Sequence, residues 1–242
     1  MAFDPVDIER AERIKRLLKP IFELFVHVSS SGTGNFPRNR PCLLISNHRS
    51  DMDPWVLSAT APRHICWIAD YYLFEIPLIG KLMEEMSSIP ISEKKSDIVR
   101  AFRKSKEAFL ANQVVGIFPE GHDTITGSLQ DLELGRFHTG FAEFAVRLGV
   151  DIVPAVIVSR KEKFDPIPVP KAFRKLFNLP EDVVNTEKRL VYENVHVHYG
   201  MPVSISDYKA KAEDPDGFDE AVLKLTEDMH AKMLAMIRDH AL

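Results

Sequence analysis

Asn47-His48-Arg49-Ser50-Asp51-Met52-Asp53 sets an imidazole five positions ahead of a carboxylate, directly after the apolar run Cys42-Leu43-Leu44-Ile45. A short apolar run bounded by polar residues reads as a buried strand, so the histidine enters a loop at the strand's carboxyl end. Pro54 follows Asp53; proline disfavours helical geometry in the residue before it and suits a helix's first turn. That predicts Asp53 as the N-cap of a helix starting near Trp55. On one continuous helix, at about 100° per residue, the His48 and Asp53 side chains would point well apart. A strand-to-cap loop can instead curl back, so that the Asp53 carboxylate holds one ring nitrogen of His48 and leaves the other free to take a proton.

A plainer reading of the same two residues makes Asp53 only a helix cap and His48 a loop histidine without chemical duty. A second stretch bears on the choice. The apolar run Val114 to Ile117 leads into Phe118-Pro119-Glu120-Gly121-His122, again placing polar groups at a strand end.

With these two strand-terminal clusters in order, the sequence resembles the glycerolipid acyltransferase family, the group that includes the lysophosphatidate acyltransferases. The family's Asn-His-x-x-x-x-Asp block is matched by Asn47, His48 and Asp53, and its Phe-Pro-Glu-Gly block by Phe118, Pro119, Glu120 and Gly121. A later Val-Pro within an apolar strand is matched by Ile152-Val153-Pro154-Ala155-Val156. Gly127-Ser128-Leu129 and Phe137-His138-Thr139-Gly140 resemble the connection between these blocks. The resemblance covers about residues 40 to 205 and implies an O-acyltransferase. Its donor would be acyl-CoA or acyl carrier protein, used as co-substrate with no further cofactor, and its acceptor a lysophosphatidate-like glycerolipid at a membrane surface. The implied catalytic pair is His48 and Asp53; Glu120, Gly121, Arg49, Phe118 and Pro119 are the implied substrate-binding residues.

The chain departs from the family pattern at two places. Where the family's second block usually ends in arginine, and where its third often continues Gly-Thr-Arg, this sequence has Ser92 and Asp123. Both family arginines are natural phosphate clamps, being fixed-charge bidentate donors. Lys94, Lys95 and Arg136 are the nearby cations that could substitute. A non-phosphorylated or other lysolipid acceptor, or hydrolysis by an acyl-thioesterase or lipid hydrolase, therefore stays open beside lysophosphatidate.

The 242 residues are enough for one substantial core with appended helices. A 45% hydrophobic and 27% charged composition is ordinary for a globular protein, and a formal net charge of −4 argues against a general nucleic-acid binder. Cys42 and Cys66 sit in apolar runs and read as buried free thiols of a reducing compartment. Acidic residues near the N-terminus argue against a secretory signal, and no run approaches the roughly 18 to 20 apolar residues that cross a bilayer. The expected location is cytoplasmic and peripheral to the membrane.

Residues 6 to 28 carry Ile14, Leu17, Leu18, Ile21, Phe22 and Phe25 at helical spacing beside a basic collar of Arg10, Arg13, Lys15, Arg16 and Lys19. Such a helix can lie in an anionic membrane surface or pack on its own domain with a solvated charged face. Pro20 should kink it, and Ser29 to Asn35 reads as a flexible link. That gives an N-terminal helix and linker over 1–34 and an acyltransferase domain over 35–242. Helices are predicted over 54–61, 96–112, 137–148 and 217–239, and strands over 64–69, 88–92, 114–117, 152–158 and 190–199. This alternation argues for an α/β fold: a mixed, mostly parallel sheet covered by helices on both faces. Arg160 to Phe177 interleaves basic and aromatic residues, a pattern suited to an anionic interface or a solvated loop. His196 and His198 share a strand face, but no third residue has metal-ligand spacing, so no metal site is expected.

Overall fold

A computed structural model describes residues 5–121, 134–167, 169–177, 179–214 and 217–240. Helix α1 (Pro5–Glu23) is followed by β1 (His27–Ser31), β2 (Cys42–Ser46), α2 (Asp53–Thr60) and β3 (Ile65–Asp70). Next come the short helices α3 (Tyr72–Glu75) and α4 (Ile79–Glu85), then β4 (Ile89–Ile91), α5 (Lys95–Leu110) and β5 (Val114–Ile117). Among the described residues the chain closes with α6 (Gly140–Leu148), β6 (Ile152–Pro166), α7 (Lys171–Leu176), α8 (Glu181–Asn185), β7 (Lys188–Tyr199), α9 (Ser206–Lys211) and α10 (Gly217–His240).

The strands form one sheet in the order β1-β7-β6-β2-β5-β3-β4. Every neighbouring pair is parallel except β6 with β7, so the sheet is mixed and mostly parallel, as the alternation of elements predicts. Because successive side chains on a strand point to opposite faces, β2 feeds two cores. Leu43 and Ile45 pack with residues of α5, α6 and α10, whereas Cys42 and Leu44 pack with Val56 and Leu57 of α2 and with Tyr192, Val195 and Val197 of β7. Burial of both central thiols pushes Cys42 and Cys66 up to about 12.

Helix α1 ends at Glu23, three residues past Pro20. It is pinned to the domain by Lys15, whose ammonium donates to the carbonyls of Ala61 (3.0 Å) and Arg63 (3.4 Å) just beyond α2, and by an Arg10–Glu85 ion pair. Leu17, Ile21, Leu24 and Phe25 stay exposed.

The segment read as a flexible link is instead strand β1 and one 3-10 turn over Thr33–Asn35. Serine hydroxyls bond it sideways to β7: Ser29 Oγ to His196 Nδ1 (2.8 Å), and Ser31 Oγ to His196 Nε2 (2.8 Å) and His198 Nδ1 (2.9 Å). A strand held by polar cross-strand pairs carries no hydrophobic period to read. Gly32 (φ 69°) turns the chain off the strand where a Cβ would lie 2.1 Å from the Tyr199 carbonyl oxygen. Strand β6 also runs past its expected end at Val158 to Pro166, so the first part of the basic and aromatic segment is sheet; α6 starts at Gly140, three residues later than expected.

Candidate active site

Strands β2 and β5 are adjacent and parallel, so the loops leaving their carboxyl ends emerge side by side, where open α/β sheets bind ligands. Asp53 and the β5 loop converge on His48.

His48 Nδ1 lies 2.9 Å from Asp53 Oδ2, with the His48 side chain 12% exposed and Asp53 fully buried. The same Asp53 oxygen accepts the backbone N–H groups of Arg49 (2.7 Å) and Ser50 (2.8 Å). Its other oxygen accepts the Tyr192 hydroxyl at 2.8 Å. Helix α2 begins at Asp53 itself with Met52 as the capping position, so the expected N-cap role is corrected: the carboxylate points back into the loop. Two loop amides, an imidazole and a phenol outbid the helix amides for it, and Pro54 has already removed one of those. His48 Nε2 has no hydrogen-bond partner among the described residues. With Nδ1–H held by a carboxylate, the free nitrogen is the acceptor of the ring.

The Phe118-Pro119-Glu120-Gly121 segment is a tight turn, with Gly121 N–H bonded to the Phe118 carbonyl at 3.1 Å. Proline and glycine fall at the second and fourth turn positions, where they are favoured. Gly121 has φ 69°, and a Cβ there would meet the His138 ring at 3.3 Å. The turn lays the Phe118 ring flat on His48 (centroids 3.9 Å, planes 15° apart) and under the Trp67 indole (4.8 Å, 2°). Glu120 is 3% exposed. One of its oxygens takes the His48 backbone N–H (2.8 Å) and the other that of Gly135 (2.6 Å). Burial pushes Glu120 above the usual carboxylate range, against the pull of those two amides.

The β6–β7 hairpin clasps the histidine loop residue by residue. Asn47 exchanges two bonds with the Ile157 backbone (3.0 and 2.7 Å), and Arg49 forks onto Glu162 (3.1 and 3.3 Å). Ser50 Oγ donates to the Leu190 carbonyl (2.7 Å), Arg189 pairs with Asp51 (2.9 Å), and Tyr192 reaches Asp53. A bulge near Lys161 brings Glu162 opposite Tyr192, aiming both at the loop.

Of the residues singled out from sequence, His48, Asp53, Phe118 and Glu120 come together. Pro119 and Gly121 build the turn, and the Gly121 amide is spent within it. Arg49 faces Glu162. Ser92 Oγ donates to Asp97 (2.6 Å), and Lys94, Lys95 and Arg136 are exposed. Asp123 lies outside the described residues, as does Gly127-Ser128-Leu129. Sequence reading missed Trp67, Glu162, Arg189 and Tyr192. Only Tyr192 left a signal: it falls on the inward face of the alternating β7, where a buried phenol needs a partner.

A cleft of about 20 Å³ between α1 and α2 is lined by Leu18, Phe22, Trp55, Ser58, Ala59 and Met86 with Lys15 and Lys19. Ser58 accepts the Trp67 indole N–H at 3.0 Å, which links the cleft to the ring stack over His48.

A family model described as Acyltransferase matches residues 27–158. The 1-acyl-sn-glycerol-3-phosphate acyltransferase of Helicobacter pylori is 32% identical over a region covering 52% of each chain. The alpha form from Ovis aries is 28% identical over 64% of this chain and 54% of its own. An uncharacterised protein of Mycobacterium tuberculosis is 25% identical over 84% of this chain. The chain spans 59% of the length of that mycobacterial relative and 52% of the Helicobacter enzyme. The crystal structure of the 1-acyl-sn-glycerophosphate acyltransferase PlsC from Thermotoga maritima shares the fold, with a TM-score of 0.63 at 18% identity, covering 94% of this chain and 79% of that one.

Proposed function

The chain belongs to the acyltransferase family, and from that premise we propose that it moves a fatty acyl group from acyl-CoA or acyl carrier protein to a hydroxyl of a lysophosphatidate-like glycerolipid. The observation that carries this reading is the His48–Asp53 pair at 2.9 Å, with no partner on the second ring nitrogen among the described residues. Acyl transfer from a thioester to an alcohol needs a base for the alcohol's proton as its oxygen attacks the carbonyl carbon. His48 Nε2 takes that proton while Asp53 fixes the ring and balances the imidazolium. The tetrahedral adduct then collapses, re-forming the carbonyl as the carbon–sulfur bond breaks, and the proton on Nε2 passes to the departing thiolate. Attack by the acceptor itself needs no serine nucleophile.

Phe118 covers one face of the imidazole, and Glu120 braces the His48 backbone and the approach of Gly135. The exposed apolar residues of α1, beside its arginines and lysines, suit an anionic bilayer surface. No helix of the described residues is long and apolar enough to cross a membrane.

A second reading, transfer to an unphosphorylated lipid alcohol, draws support from two pairings: Ser92 is committed to Asp97, and Arg49 to Glu162. A panel of acyl-CoA and acyl carrier protein donors against phosphorylated and unphosphorylated acceptors, scored by thiol release and product mass, decides between them. Thiol release that does not depend on any acceptor would reject acyl transfer in favour of hydrolysis.

A further inference from the structure

We propose that Tyr192 is a positioning residue of the reaction, acting on His48 through Asp53; this rests on the reading of His48 as general base. Tyr192 lies on β7, beyond the residues 27–158 that the family model matches.

The geometry has three parts. Asp53 is fully buried and receives four donors, three of them on Oδ2: the His48 ring and two loop amides. The fourth, the Tyr192 hydroxyl, is the one donor on Oδ1 among the described residues. A carboxylate held on one oxygen alone can pivot about its Cβ–Cγ bond; a donor on the second oxygen fixes the plane in which Oδ2 meets the imidazole. Tyr192 is 1% exposed, and burial together with the adjacent Asp53 charge holds its phenol in the neutral, donating form.

The charges around this centre are compensated. Glu120, on the turn after β5, is bonded to the His48 and Gly135 amides; Arg49 on the loop faces Glu162 of β6; and Asp51 on the loop faces Arg189 of β7. Tyr192 is therefore the neutral group through which the hairpin adjusts how strongly Asp53 holds the proton on His48. With its hydroxyl bonded, part of the Asp53 charge is drawn away from the ring. Without it, the carboxylate binds the imidazolium more tightly and releases it less readily.

The test uses the full chain with palmitoyl-CoA and lysophosphatidate, comparing wild type, Tyr192→Phe and His48→Ala. Tyr192→Phe removes one oxygen and keeps the ring. The expected result is a 10- to 100-fold lower kcat (roughly the scale of a mispositioned acid–base group), a KM for each substrate within about twofold of wild type, and an acid limb of the pH–rate profile displaced to higher pH. The downfield proton resonance of an imidazole N–H bonded to a carboxylate should also move, a readout independent of turnover. Replacing Tyr192 with a fluorinated tyrosine, a stronger donor, should displace the acid limb the other way and keeps the test valid if the phenylalanine variant folds poorly. A folded Tyr192→Phe with wild-type kcat, unmoved acid limb and unmoved proton resonance overturns the proposal while an inactive His48→Ala leaves the base reading standing. An active His48→Ala removes both.

Discussion

The Phe118 ring lies face to face with the His48 imidazole, 3.9 Å between centroids, and is itself sandwiched by Trp67. A ring face carries negative charge density, so this contact strengthens when the imidazole becomes cationic, which under the proposed mechanism happens as the acceptor is deprotonated. Phe118→Leu keeps the apolar cover but removes the π face. A cation–π contribution of about 0.5–2 kcal/mol corresponds to a kcat lower by roughly 2- to 30-fold. Steady-state kinetics on the folded variant check it; an unchanged kcat would show that the ring serves only as packing.

His48→Ala should lower product formation by roughly 10²- to 10⁴-fold, the usual contribution of a general base. The side chain donates one hydrogen bond, to a charged group, so Tm should fall by no more than roughly 10 °C. Activity and thermal denaturation measured on one preparation separate the chemical loss from the structural one.

Glu120 gives a stability signature. Its carboxyl titrates above its ordinary 4.5 in the folded chain because burial disfavours the charge. The folded state thus holds the proton more tightly than the unfolded one. Its contribution to stability is fully present below 4.5 and is lost as pH rises through the folded value. Glu120→Gln cannot titrate and leaves one of two buried amides facing an NH₂ group, at a cost of about 1–3 kcal/mol. Urea unfolding of both proteins at mildly acidic and at alkaline pH should show wild type ahead by more on the acid side. A gap that widens with rising pH would contradict the burial argument.

Membrane contact through α1 and the turn that follows it predicts that Leu24 and Phe25, 81% and 78% exposed, carry binding to anionic vesicles. Changing both to glutamate disturbs no packing and should weaken vesicle co-sedimentation at least roughly tenfold, since each side chain is worth about 1.5–3 kcal/mol when taken out of water. Residual binding should fall further with added salt, which screens the basic collar.

Cys42 and Cys66 are buried and pushed up to about 12, so thiolate is scarce at neutral pH. Iodoacetamide should label neither in the native protein and both in denaturant, as mass spectrometry would report.

Much of this architecture was legible because its signals are local. The strand that ends at Ser46, the loop that lets Asp53 reach His48, and the proline–glycine turn at Phe118 each follow from a few adjacent residues. The helix start at Asp53 is not legible in the sequence, because the loop amides that compete for its carboxylate come within reach only once the loop has curled. Strand β1 escaped notice because hydroxyl–imidazole pairs hold it, and its partner histidines lie more than 160 residues away. Glu162, Arg189 and Tyr192 could not be assigned for the same reason: tertiary pairing chooses which distant side chains meet the loop, and no local period records it.

The hairpin that grips the histidine loop is made late. Tyr192 follows Asp53 by 139 residues, so at about 5–20 residues per second a ribosome needs roughly 7–28 s between the two. Until β7 has left the exit tunnel, the Asp53 of a nascent chain meets its histidine without the phenol on its second oxygen, the condition that Tyr192→Phe reproduces in the finished fold.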